Sequence, residues 1–227
     1  MDQEDKQFLQ QVLTSAEDDY TIVITNIEAS PCCKDGENYM ALVSRVKLTG
    51  TRGQNKQESS WSVVTKKQPA SLARREMFRC GPVFRNETAV YKTVIPTFQR
   101  FFNNKVPFPF PKCLHADHNI RNDLIVLEDL GTAGFSMTNR IQGLDFDHCQ
   151  LVLRGLASFH AMSLALKVID LNAFMKARDS TKEVIYIEEA RKLFSVSMEN
   201  SLKMATESLS NKDGTFDVAL KTLDRFK

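Results

Sequence analysis

The chain lacks any continuous apolar run approaching the ~20 residues that a membrane-spanning helix needs, and this argues against a membrane partner. No secretory leader is expected. The opening residues MDQEDKQFLQ are acidic and polar, where a leader is basic and then apolar. Net charge is nearly absent (+2) and there is no basic block, so no nucleic-acid partner is implied. The five cysteines (Cys32, Cys33, Cys80, Cys113, Cys149) form an odd, scattered set with no paired CxxC spacing. That pattern argues against zinc and for a reducing compartment, so a cytoplasmic location is expected. His115, His118, His148 and His160 do not have metal-ligand spacing either. The chain shows no internal repeat and no low-complexity tract.

What is present reads as an ordinary globular chain, 42% apolar and 26% charged, long enough for one large domain or two small ones. Phe8, Leu9, Val12 and Leu13 share the face of a short helix. Strands are predicted over Tyr20–Ile27, Met40–Leu48 and Trp61–Lys66. A turn containing Pro31, Asp35, Gly36 and Asn38 joins the first two, and a polar connection over Gly50–Ser60 joins the next pair. Helical patterns follow at Ala70–Phe78 and Pro82–Val94, the second expected to stop at Pro96. Pro107–Pro111 reads as an extended linker and Leu124–Leu127 as a buried strand. Asp145 and Asp147 open a helix with Val152, Leu156 and Phe159 on its apolar face. Apolar residues from Ile187 to Leu209, including Phe194 and Leu202, keep helical spacing. A turn at Asn211–Gly214 precedes a last helix.

Three features could carry chemistry. A glycine turn between two strands can lay its N–H groups over phosphate oxygens, and Gly36 is placed for that. Lys66, ending the third strand, could reach the inner phosphates if a carboxylate held it. Glu87 is the candidate, because it shares an apolar helix face with Phe84 and Tyr91, where an unpaired charge is costly. Each part also has a bland reading: a plain hairpin, a solvated lysine, a wet helix face. Glu128 and Asp129 are either functional acids or a polar exit from a strand, and as neighbours they point opposite ways. His115-Ala116-Asp117 and Asp145-Phe146-Asp147 superficially suggest a catalytic loop and a magnesium-binding pair. The first comes too early in the chain, and the second is explained by helix capping.

Five phrases taken together resemble the ecdysteroid-kinase-like family. They are GENYMALVSRVKL (36–48), VVTKKQP (63–69), FRNETAVYKTVIP (84–96), LIVLEDLGTAGF (124–135) and GLDFDHCQLVLRGLASFHAMSLAL (143–166). The resemblance places the chain near choline kinases and aminoglycoside phosphotransferases. It implies an α+β, protein-kinase-like fold with an antiparallel-sheet lobe over residues 1–130 and helices over 131–227. It further implies ATP and Mg2+ as cofactors and a small molecule with a hydroxyl, a steroid among the candidates, as acceptor. Gly36, Glu37, Asn38 and Tyr39 would cover the phosphates. Lys66 would bind them with Glu87 as its partner, and Leu127, Glu128, Asp129 and Leu130 would form the hinge that meets adenine. His160-Ala161 would be structural.

The family's His-Gly-Asp catalytic loop occurs nowhere in these residues. By the resemblance it would follow the last helices, as would the metal-binding Asp. The expectation is a C-terminally truncated fold with no catalytic and no metal-binding residue, and therefore no turnover. Losing even one preorganised electrostatic group typically costs ~100–1000-fold in rate. Such a fragment would be poorly folded beyond residue 170 or would self-associate to cover apolar faces. The alternative is a non-catalytic nucleotide-binding or interaction protein that keeps the first lobe.

Overall fold

The computed structural model of the chain describes residues 3–32, 38–102, 110–118, 123–139, 141–210 and 214–226, without the side chains of 189–190, 192–194 and 226. Gly36, Glu37, Phe194, most of the Pro107–Pro111 linker and most of the Asn211–Gly214 turn therefore lie outside the described residues. The architecture is α+β, built on one five-stranded antiparallel sheet. Its strands are β1 (Val23–Pro31), β2 (Leu42–Arg52), β3 (Gln57–Lys67), β4 (Cys113–Asp117) and β5 (Leu124–Glu128), in the order β1-β2-β3-β5-β4.

Period-two alternation sorts the side chains onto two faces. On one face Val46, Leu48, Val63 and Val126 pack against Leu9, Val12 and Leu13 of α1 (Gln3–Glu17). On the other, Val64, Ile125 and Leu127 pack against Phe84 and Tyr91. Polar contacts also hold α1 to the sheet: Gln10 Oε1 accepts from the Ile24 N–H at 2.8 Å, and Trp61 Nε1 donates to Glu17 at 2.8 Å.

The strands differ from the sequence reading in three ways. The predicted connection over Gly50–Ser60 is mostly ladder, paired out to Arg52 and Gln57 and closed by a short turn with positive φ at Gly53 and Lys56. Backbone pairing needs no apolar side chains once Val46, Leu48 and Val63 have set the register, so polar residues simply extend it. For the same reason β1 runs past Ile27 to Pro31, paired with Ser44. β4 was not anticipated, because CLHAD has too little alternation to signal a strand; its partner β5 makes it one.

Gly50 shows how tightly β1 and β2 meet. A bulge falls between Ile24 and Asn26, and a Cβ on Gly50 would lie 2.0 Å from the Val23 carbonyl oxygen. Both atoms belong to paired backbone, so neither can yield alone. Gly50→Ala is expected to lower stability by about 1–3 kcal/mol, measured by urea denaturation. Wild-type stability in that variant would refute the close approach.

The helices on the second face start with α2 (Leu72–Met77), capped by Ser71, whose side chain accepts from the Arg74 N–H. α3 (Cys80–Ala89) follows a left-handed Arg79 and carries Gly81-Pro82 in its first turn, where the proline's missing N–H costs little. Pro96 does not end the helix as predicted. Residues Val90–Val94 widen to a π-helical turn, with the Ile95 N–H donating to Val90 O, and α4 (Ile95–Phe102) continues. The wider turn accommodates a residue that cannot donate and whose ring would crowd a regular helix.

Beyond the sheet, α5 (Phe146–Ile169) is capped by Asp145, as its acidic start implied, and α6 (Leu171–Asp179) by Asp170. α5 buries Met162 and Leu166 with Phe159 against Phe98 of α4, while Val152 and Leu156 are exposed. The inward face is thus shifted from the predicted one. By length and composition α5 is apolar enough to cross a membrane. Arg154, His160 and Lys167 break the continuous run that the sequence reading sought, and a core helix passes the same test.

The chain forms two compact units, Met1–Lys182 and Glu183–Lys227. The second consists of α7 (Glu188–Ser210) and α8 (Asp217–Leu223).

Candidate functional site

Ser62, Val64 and Lys66 alternate onto the sheet face that α3 crosses. There Phe84 packs with Ile125 and Leu127, and Glu87, one helical turn further on, faces the strand end. Lys66 Nζ lies 2.6 Å from Glu87 Oε2 and 2.8 Å from Oε1. The two side chains are 28% and 25% exposed, so water screens the pair without dissolving it. Burial first, and the Glu87 charge second, push the neighbouring Tyr91 phenol up to about 12. Tyr91 therefore stays neutral and does not compete for the lysine.

The pair lines a cleft of about 450 Å³ with Asn38, Tyr39, Cys80 and Phe84. Asn38 and Tyr39 are the described end of the predicted phosphate-covering turn, and they line the same cleft as Lys66. Arg74 holds them there. Its Nη2 donates to the Asn38 carbonyl at 2.6 Å and its Nε to the Tyr39 carbonyl at 2.7 Å, with the guanidinium 5.8 Å from the Tyr39 ring centre. The sequence reading did not find Arg74. An arginine three residues after a helix cap carries no signal of what it will reach across the fold.

A larger cavity of about 1210 Å³ lies on the same sheet face, lined by Val43, Arg45, Val64, Leu127, Asp129 and Gly131 among others. Val43, which lines the larger cavity, stands opposite Lys66, which lines the cleft, in the ladder. The hinge residues Leu127, Glu128, Asp129 and Leu130 all line the larger one. Leu127 is buried, and Leu130 opens a 3-10 turn whose carbonyl accepts from the Phe135 N–H at 3.1 Å.

Glu128 and Asp129 do diverge. Glu128 is exposed, and its Oε2 accepts from the Lys112 N–H at 2.9 Å. Asp129 is only 3% exposed and takes four hydrogen bonds: Arg45 Nε at 2.7 Å, Arg45 Nη2 at 3.1 Å, Ser62 Oγ at 2.6 Å and the Gly131 N–H at 3.0 Å. Burial by itself raises the Asp129 pKa. The hydrogen bonds from Arg45, Ser62 and Gly131, helped by the Arg45 charge, outweigh it and hold the carboxyl below its ordinary 3.8.

Arg45 and Ser62 were also missed. They lie 84 and 67 positions from Asp129 in the chain, and only the register brings them to it. Gly131 leaves the space: a Cβ there would come within 2.6 Å of Arg45 Nη2 and 3.0 Å of Asp129 Oδ1. Gly131→Ala should therefore displace the guanidinium and cost about 0.5–1.5 kcal/mol, the worth of one net hydrogen bond, in thermal denaturation. An unchanged melting curve would show that the pair has room to spare.

Among the described residues no group of three or more His, Cys, Asp or Glu could hold a metal ion. His115 and Asp117 lie on β4, where the His115 ring meets Phe8 edge-on. Asp145 is occupied in capping, its Oδ1 accepting from the His148 N–H at 2.9 Å. The arrangement can hold phosphate oxygens against a fixed ammonium and a flat group beneath the strands.

No curated protein and no solved structure matches the chain. The sequence profile described as the ecdysteroid kinase-like family matches residues 35–227, which spans the covering turn, Lys66, Glu87, the hinge and the helices beyond. With that match over most of its length, and with a kinase-like α+β architecture, the chain belongs to the ecdysteroid kinase-like family.

Proposed function

We propose that these residues hold ATP for phosphoryl transfer to a hydroxyl of a small molecule, a steroid among the candidates, in a reducing, cytoplasmic setting. The observation that carries the reading is the Lys66–Glu87 pair at 2.6 Å on the wall of an open cleft. Glu87 keeps the ammonium extended over the cleft instead of loose in water. A triphosphate entering beside it would place inner oxygens against Nζ, and Arg74 would keep the Asn38–Tyr39 backbone over them. Gly36 and Glu37 belong to the same turn by sequence. The nucleobase would lie in the larger cavity along Leu127, Glu128, Asp129 and Leu130.

Phosphoryl transfer is catalysed mainly by positioning and charge neutralisation. Mg2+, when bound, would supply much of that neutralisation. Among the described residues no group of three or more His, Cys, Asp or Glu could hold it. Lys66 and the turn hold and orient the donor, and the 227 residues contain no His-Gly-Asp to take the acceptor's proton. We therefore expect nucleotide binding without turnover from these residues by themselves. Binding without transfer is also what a nucleotide-dependent interaction protein would show.

Thermal denaturation with and without ATP tests the reading. A ligand specific for the native state at one hundred times its Kd adds about 2.7 kcal/mol of stability. ATP is expected to raise Tm, and no rise at millimolar ATP would defeat the proposal. Phosphate release or acceptor phosphorylation by the same protein would overturn the expectation of no turnover.

A further inference from the structure

We propose that Arg45 is a specificity-determining residue: its guanidinium, held in place by Asp129, stacks on the flat face of the nucleobase. This rests on the nucleotide reading above and adds to it the group that selects an aromatic base. Arg45 stands on β2 directly opposite Val64 of β3, and Val43 and Lys47 flank it on the same face. All four line the large cavity together with the hinge. A lone arginine at such a place would be mobile. Here Asp129 takes both Nε and Nη2, the two-point grip that fixes a guanidinium plane.

Asp129 is itself fixed from two further sides, by Ser62 Oγ and the Gly131 N–H. Gly131, lacking a Cβ, lets the guanidinium close onto the hinge. Although its partner is buried, the Arg45 side chain remains 42% exposed, and what it is exposed to is the cavity. A planar cation on the wall of an apolar-floored cavity, pinned along one edge and open elsewhere, is suited to an aromatic face. It is poorly suited to a two-point grip on a phosphate, because Asp129 already takes the Nε–Nη2 edge of the fork. Lys66 and Arg45 therefore divide the nucleotide, one for the phosphates and one for the base.

The test measures the affinity of the full chain for ATP, adenosine and ribose 5-triphosphate, which has no base. Isothermal titration calorimetry reports binding of each ligand directly, and the rise in melting temperature checks it. Arg45→Lys keeps a cation beside Asp129 and loses the plane. It is expected to weaken ATP and adenosine by the same factor, about 3- to 30-fold, as the loss of one cation–π contact would. Ribose 5-triphosphate should bind variant and wild type alike. Asp129→Asn, which loosens the grip without removing the arginine, should shift the three ligands in the same pattern.

Loss on ATP without loss on adenosine would make Arg45 a phosphate contact and overturn the proposal. Equal loss on all three ligands would mean that it merely supports the cavity, which also overturns it. So would an unchanged ATP affinity in a wild type that binds ATP. No ATP binding by the wild type would remove the nucleotide reading as well.

Discussion

Lys66→Met is expected to weaken ATP binding by about 10- to 100-fold while leaving adenosine binding within twofold of wild type. The ammonium is a charge-assisted donor, and such bonds to a charged partner are worth about 1.5–3 kcal/mol, each 1.4 kcal/mol being tenfold. Methionine keeps the length and apolar stem of the side chain, so the cleft wall is preserved and the loss reports the charge. Glu87→Gln should act more weakly in the same direction. It leaves Lys66 in the cleft but frees it from an anchor now 2.6 Å away. If neither variant moved ATP affinity, the pair would be only a surface ion pair of the kind that often contributes nothing measurable. Titration followed by calorimetry or by melting temperature decides it.

Asp129→Ala should cause the largest loss of stability. Ser62 Oγ and the Gly131 N–H would each lose a partner, and with Ser62 half-buried and Gly131 exposed the cost is about 1 kcal/mol for each donor. Arg45, being substantially exposed, can turn to solvent and adds less. Urea denaturation at neutral pH measures the sum, and a loss under 1 kcal/mol would show that the network is replaceable.

The same residue gives a pH dependence. Its folded pKa is held below the ordinary value of 3.8, so the folded state favours the ionised form. That contribution is fully present above the unfolded pKa and is lost as pH falls through the folded one. Wild type is therefore expected to lose stability below about pH 4, more steeply than Asp129→Asn. Parallel curves for the two proteins would exclude Asp129 as the source.

The candidate site was legible in the sequence where local pattern and chemistry coincide. Val63-Val64-Thr65-Lys66 shows by alternation which way the lysine faces relative to the core. Glu87 shares a helix face with Phe84 and Tyr91, and a charge there demands a partner. From the residues alone that pairing stood beside a solvated lysine and a wet helix face; the family resemblance favoured it, and the structure brings the two side chains to hydrogen-bonding distance. The residues that grip Asp129 left no such trace. Arg45 alternates with Val46 and Leu48 as any solvent-facing arginine on a strand would. Arg74 reaches the Asn38 and Tyr39 carbonyls only because α2 lies beside the covering turn.

By itself the sequence determined most of the helices, the two faces of the central strands and the kinase-like resemblance, because these depend on neighbours within one or two turns of chain. Only the tertiary structure decided how far β2 and β3 stay paired, that CLHAD becomes a strand, that the helix passes Pro96 through a widened turn, and which arginine meets the buried aspartate. Each of those outcomes depends on sheet register or on helix placement. Both are set by the sum of many distant contacts, and no single residue or local period encodes them.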